Sequence, residues 1–160
     1  MIRAVLAVCL AVALLGVAVP AVENASRDHS ASVADAELDR LRATLADLAA
    51  TDDALPAHSP GARRLVTLRI PTPDLAAAPL AYLAVGGVPE AASGESTPEA
   101  PDRLAYRLRG GEPRTVSVPV DLHTPGEDPL VLRSPGRHRV RCELVVADHG
   151  GVAVHVERVG

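Results

Sequence analysis

The sequence predicts an α+β fold: an N-terminal hydrophobic helix that continues into an amphipathic helix, then a small antiparallel β-sheet domain. Three observations predict it. Residues Ala4 to Val22 carry no charge. Residues Ala31 to Ala50 repeat apolar side chains at helical spacing. After residue 62 apolar and polar side chains alternate, as in a sheet with one buried and one solvated face. The predicted parts are a transmembrane anchor or signal segment (1–22), the amphipathic helix (23–52), a linker (53–62) and a β-rich extracytoplasmic domain (63–160).

The apolar segment from Ala4 to Val22 predicts a membrane location. As a helix, its roughly 19 residues extend about 28 Å, close to the thickness of the hydrocarbon core. Arg3 precedes the segment and Glu23 follows it, so the positive-inside rule predicts a single pass with the C-terminal domain outside. The alternative is a secreted protein, because Val19-Pro20-Ala21 leaves small residues where a signal peptidase would cut after Ala21.

Two short patterns near this segment suggest modification. Asn24-Ala25-Ser26 matches the N-glycosylation pattern, but it lies so close to the membrane that we expect no glycan there. Leu6 to Cys9 weakly resembles a lipoprotein processing box. The apolar run continues beyond Cys9, which argues against lipidation.

The second helical segment has one apolar face. Its stripe is formed by Ala31, Ala34, Leu38, Leu41, Leu45 and Leu48. Ser32 with Asp35 resembles a capping box that would start a separate helix, although the helix could also run on directly from the membrane segment. We predict that the stripe packs on the chain's own β-domain. A partner-binding or self-associating helix is the alternative, but the stripe is short for a coiled coil.

Alternating residues predict the strands of the β-domain. The strands are expected around 66–70, 80–85, 103–109, 115–120, 130–133, 137–147 and 152–159. The stretch between Gly86 and Pro101 is rich in Pro, Gly, Ser and Glu, which predicts a surface loop. For the last two strands, a loop at His149-Gly150-Gly151 would align Val146 with Val154 and place the apolar residues from Val140 to Val156 on one face.

Few residues suggest chemistry. The six histidines (His29, His58, His123, His138, His149 and His155) show no metal-type spacing and are predicted to lie at the surface or in turns. Cys142 alternates into an apolar strand face, as an inert buried thiol would. The predicted hairpin register would set Glu143 opposite Glu157, a candidate acid pair, but nearby arginines favour a charge cluster. We therefore predict no enzyme and no catalytic, cofactor-binding or metal-ligating residue.

Arginine supplies all sixteen basic residues. Several lie within predicted strands: Arg69, Arg103, Arg107, Arg109, Arg139 and Arg141. If those strands are neighbours, the exposed sheet face is cationic and could bind an acidic partner, a glycan or lipid headgroups. A solubilising role for these arginines is the alternative. The formal net charge of −4 and the presence of only two tyrosines as aromatic residues argue against nucleic-acid binding.

Several stretches resemble a known family. The opening Met1 to Val8, the segment Val19 to Glu23, the run Leu38 to Asp53 and the segment Pro60 to Pro71 are similar to an uncharacterised protein family of halophilic archaea. The resemblance covers the chain nearly end to end and implies a membrane component loosely associated with type IV pilus-like secretion systems. An apolar helix, an amphipathic continuation and a β-rich head also form the plan of a pilin-like subunit. However, a pilin has a charged leader with a processing site, whereas only Met1-Ile2-Arg3 precedes the apolar stretch here.

These observations lead to three functional hypotheses. The first is a non-catalytic, membrane-anchored extracytoplasmic protein, an accessory or structural component of a surface or secretion assembly whose partners are the membrane and other proteins. The second is a secreted or anchored binding module that uses the arginine-rich sheet face. The third, against which the nearby arginines argue, is a hydrolase built around Glu143 and Glu157.

Overall fold

The computed structural model describes residues 2–51, 62–74, 76–89, 102–126, 128–147 and 151–160. Within these residues the chain forms one helix and eight strands, which confirms the predicted α+β class. The elements are α1 (Ile2–Thr51), β1 (Arg63–Ile70), β2 (Leu80–Val85), β3 (Arg103–Leu108), β4 (Arg114–Ser117), β5 (Asp121–His123), β6 (Leu130–Leu132), β7 (Gly136–Val146) and β8 (Val152–Arg158). The predicted linker, apart from Ala62, and the 90–101 part of the predicted loop lie outside the described residues.

The hydrophobic and amphipathic helices are a single helix, α1, 50 residues in length. At 1.5 Å per residue it extends for about 75 Å. The possible helix start at Ser32 is wrong, because Ser32 and Asp35 lie in the middle of the continuous helix. The helix is long and apolar enough to cross a membrane, and none of its most apolar window is buried in the structure. A signal sequence would share these features.

The second half of α1 packs on the β-domain, as predicted. Leu38, Leu41, Leu45 and Leu48 are completely buried, in the same core as residues of both sheets. Burying each leucine contributes about 1.5–3 kcal/mol. The buried part of α1 and the two sheets therefore form one folded unit, which we call the head (the described residues within 26–51 and 62–160).

The strands form two four-stranded sheets, with order β1-β7-β8-β5 in sheet A and β4-β3-β2-β6 in sheet B. All pairs are antiparallel except β5 with β8, which is parallel. The predicted strand at 115–120 is divided: β4 ends at Ser117, and Val118 and Val120 enter the core on the way to β5 in the other sheet. The strand β5 itself was not predicted.

The β7–β8 hairpin forms with a register two residues from the predicted one. Val146 pairs with Val152, Leu144 with Val154 and Cys142 with Val156. A shift of two residues leaves every side chain on the same face. Accordingly, the apolar face is confirmed except at its end, where Val146 and Val152 are partly exposed. The predicted loop residues His149 and Gly150 lie outside the described residues.

Candidate functional site

The acid pair suggested by the sequence does not form. In the observed register Glu157 lies opposite Arg141, and Glu143 lies opposite His155. Each glutamate has its own arginine: Arg141 forms an ion pair with Glu157, and Arg63 of β1 lies 2.9 Å from Glu143. Each carboxylate is neutralised by its own arginine, so this face holds a charge cluster and not an acid dyad.

The histidines do not all lie at the surface. His29 and His123 are exposed and His155 is partly buried, whereas His58 and His149 lie outside the described residues. The prediction was wrong for His138, which is 4% exposed. It continues the inward alternation of Val140, Cys142 and Leu144 on β7, and its Nε2 lies 2.7 Å from the carbonyl oxygen of Ser134. That alternation in the sequence was the signal that could have placed it in the core.

Across the described ranges, no group of three or more His, Cys, Asp or Glu side chains is arranged to hold a metal ion. His123 and His155 are neighbours across the parallel β5–β8 pair, and Glu143 follows on β7. Because Glu143, the last of these three residues, forms an ion pair with Arg63, the three residues belong to the charge cluster.

Cys142 is completely buried, and burial raises the pKa of its thiol from the ordinary value of 9.0 to about 11. The thiolate is the reactive form of cysteine. Cys142 therefore has the environment of a structural thiol, as the alternation in the sequence predicted.

This environment predicts slow labelling. In a Cys9→Ala variant, where Cys142 is the only thiol, we expect no maleimide labelling of the folded protein at neutral pH and rapid labelling after unfolding. Because the pKa of the Cys142 thiol is higher in the folded state than in the unfolded state, the buried neutral thiol stabilises the fold below pH 9. This contribution to stability is lost as the pH rises toward 11. A matched control carries Thr67→Cys, an exposed strand position, with both natural cysteines changed to alanine. Prompt labelling of the folded Cys9→Ala protein would contradict the assignment.

The strand arginines divide between the two sheets, so they do not form one cationic face. Arg69 and Arg139 lie on the solvent face of sheet A, where Arg69 directly opposes Arg137. Arg103 and Arg107 belong to sheet B, and the Nε of Arg107 donates a hydrogen bond to the carbonyl oxygen of Gly111, 2.7 Å away. We call Arg69, Arg137 and Arg139 the arginine face. Its three residues have no acidic partner among the described residues.

Polar contacts join α1 to sheet B. The Tyr106 hydroxyl donates a hydrogen bond to the carbonyl oxygen of Ala31, 3.4 Å away. The same hydroxyl accepts a hydrogen bond from Arg114, which also forms an ion pair with Asp35 of α1. Burial, reinforced by Asp35, raises the pKa of Tyr106 to about 12. The Ser30 hydroxyl donates to the carbonyl oxygen of Ala78, 3.0 Å away. None of these contacts of α1 with sheet B and the β1–β2 connection was anticipated, since they join residues 48 to 79 positions apart.

A further contact joins the end of α1 to sheet A. Arg64 at the start of β1 forms an ion pair with Asp47, and its hydrogen bond lowers the pKa of that carboxyl. The helix is thus held at both ends of its docked segment, near Ser30 by sheet B and the β1–β2 connection, and near Asp47 by β1.

Together these features define a class of protein: a two-sheet head fixed to one long helix, whose exposed apolar half is a candidate membrane span. The chain belongs to the DUF7311 family, described as a domain of unknown function, whose model matches residues 1–159. This confirms the expected end-to-end membership of an uncharacterised family. The archaeal source and the pilus association stay predictions. No curated protein and no solved structure is significantly similar to the chain.

Proposed function

We infer that this protein is a non-catalytic, single-pass membrane protein with its head outside the cytoplasm, acting as an accessory or structural component of a surface or secretion assembly. The observation that carries the proposal is the division of α1 into two parts. Every residue from Ile2 to Val22 is exposed, whereas the stripe from Ala34 to Leu48 is buried in the head. A continuous exposed apolar surface must be covered by lipid or by protein.

The two halves of α1 support an assembly role. The helix leaves the head without an intervening loop, so neighbouring subunits that pack their apolar segments together would also fix the relative positions of their heads. This is the plan of a pilin-like subunit, which the resemblance in the sequence also favours. The charge cluster in place of an acid dyad and the buried Cys142 support a non-catalytic head.

Affinity purification from detergent-solubilised membranes tests this proposal. We expect the tagged full-length chain to stay in the membrane pellet after alkaline carbonate extraction, and to purify with secretion or pilus components after mild cross-linking. An unrelated tagged single-pass protein from the same membranes is the control. Recovery of the chain alone, as a monomer, would contradict the assembly role, and release by carbonate would contradict the anchor.

The second candidate function is recognition of an acidic protein by the arginine face. The direct opposition of Arg69 and Arg137 favours it, because like charges on facing strand positions destabilise a sheet unless another group neutralises them. Immobilised poly-glutamate is a suitable probe. Arg137→Glu with Arg139→Glu should abolish retention at low salt, whereas Arg103→Glu, an exposed position in sheet B, should reduce it only slightly. If Arg137→Glu with Arg139→Glu were retained as strongly as Arg103→Glu, this candidate function would be excluded.

A further inference from the structure

A cavity of about 410 Å³ opens where α1 enters the head. The helix contributes Ser26 and Arg27 to its wall. The β1–β2 connection contributes Asp74, Ala78 and Pro79, and Arg109 reaches it from the end of β3. The cavity is therefore built from three separated parts of the chain that meet at one end of the head.

Backbone contacts tie the walls of this cavity to the helix. The Ala78 amide donates to the carbonyl oxygen of Ser26 at 3.3 Å, and the Arg109 amide donates to the carbonyl oxygen of Pro79 at 2.9 Å. With the Ser30–Ala78 hydrogen bond, these contacts hold the cavity at a fixed position along α1.

That position lies at the level of lipid headgroups when Ala4 to Val22 spans the bilayer. Ser26 and Arg27 follow Val22 by four and five residues, which places them roughly 6–8 Å beyond the hydrocarbon boundary. The polar layer on each side of a bilayer is about 5–8 Å thick. A tilt of the helix would lower the cavity further into this layer.

Of the two arginines that line the cavity, one has no ionic partner among the described residues. Glu23 lies 3.9 Å from Arg27, and the Asp74 carboxylate accepts a hydrogen bond of 2.7 Å from the Ala76 amide. Arg109 is exposed and forms no ion pair or side-chain hydrogen bond with any other described residue. A guanidinium group matches two oxygens of a phosphate at once. The group that best completes this site is therefore a phosphodiester.

We propose that the cavity binds the phosphodiester headgroup of an anionic lipid in the membrane that holds α1. Arg109 makes the main contact and Arg27 the second, in exchange for its long contact with Glu23. The bound lipid holds the base of the head against the bilayer surface. This inference rests on the single-pass topology proposed above, and it adds a ligand class and the residues that bind it.

Hydrogen exchange in nanodiscs tests the proposal. The full-length protein is placed in phosphatidylglycerol or phosphatidylcholine nanodiscs, and exchange is followed in the peptides that contain the Ala78 and Arg109 amides. We expect exchange several-fold slower in phosphatidylglycerol. Arg109→Gln should remove that difference. Arg103→Gln, the same change at the exposed opposite end of β3, should preserve it.

Several results would overturn the proposal. Equal exchange in the two lipids would do so, as would the same loss of protection in Arg103→Gln as in Arg109→Gln. Protection by millimolar glycerol phosphate in phosphatidylcholine nanodiscs would instead assign the site to a soluble phosphate. The anchor is tested separately, since a protein released by carbonate refutes the topology whatever the exchange shows. Unchanged thermal unfolding of both variants would establish that the head is intact.

Discussion

Arginine at two positions of the apolar segment, Leu10→Arg with Leu14→Arg, is expected to abolish membrane integration. Both leucines are 62% exposed, so the changes disturb no contact within the head. An arginine near the centre of a membrane helix costs about 2.5–3.5 kcal/mol on insertion scales, and the lost leucines add to that cost. Two such changes, roughly 5–7 kcal/mol together, exceed what the remaining apolar residues can offset. We expect the protein to move from the carbonate-resistant pellet to the soluble or degraded fraction.

The matched control carries the same two charges farther along the same helix. Ala43→Arg with Ala50→Arg changes two exposed positions beside the head and should leave the protein in the pellet. The intact mass of the wild-type protein then separates the two forms of export, because cleavage after Ala21 would remove the apolar segment. If the Leu10 and Leu14 variant stayed in the pellet, the apolar segment would not be what holds the chain to the membrane.

Leu41→Ala is expected to destabilise the head by about 2–5 kcal/mol, the usual cost of emptying a fully buried leucine site. Leu41 is completely buried in the core that the helix shares with both sheets. The surrounding strands are held in place by their own inter-strand hydrogen bonds, so they cannot move inward to fill the space left by the removed side chain. The loss is measured from urea unfolding in mild detergent, followed by the exposure of Cys142 to a thiol reagent in the Cys9→Ala background.

Leu14→Ala is the control for this second change, since it makes the same truncation at an exposed site of the same helix. Its midpoint in urea should match that of the parent. A head whose midpoint did not change with Leu41→Ala would mean that the helix is not part of the cooperative unit, and the amphipathic stripe would then be available to a partner.

Local patterns predicted every element except β5, but they did not predict how the strands pair. The period of the leucine stripe was sufficient to place Leu38 and Leu41 in the core, and alternation located β1, β3 and β7. The hairpin register could not be decided this way, because a shift by two residues preserves every face and differs only in which residues pair. The parallel β5–β8 pair and the division into two sheets depend on contacts between distant parts of the chain, which no short pattern records.

The candidate sites show the same limit. The predicted register set Glu143 opposite Glu157 because it was displaced by two residues. The two carboxylates instead form ion pairs with arginines from two strands. The cavity at the base of the head combines residues 27, 74 and 109, whose proximity depends on where the β1–β2 connection meets the helix. By contrast, the inert character of Cys142 follows from alternation along one strand and was predictable.

The absence of a break in α1 between Val22 and Ser30 gives the head a defined angular relation to the side chains of the apolar segment. One α-helical residue corresponds to about 100° of rotation and 1.5 Å of rise. A single residue inserted after Asn24 would therefore turn the head by more than a quarter of a circle while barely raising it. Whatever packs against the apolar segment thus selects the side of the head that it faces, and evolutionary insertions or deletions in this short stretch would be tolerated only in combinations that restore the helical phase.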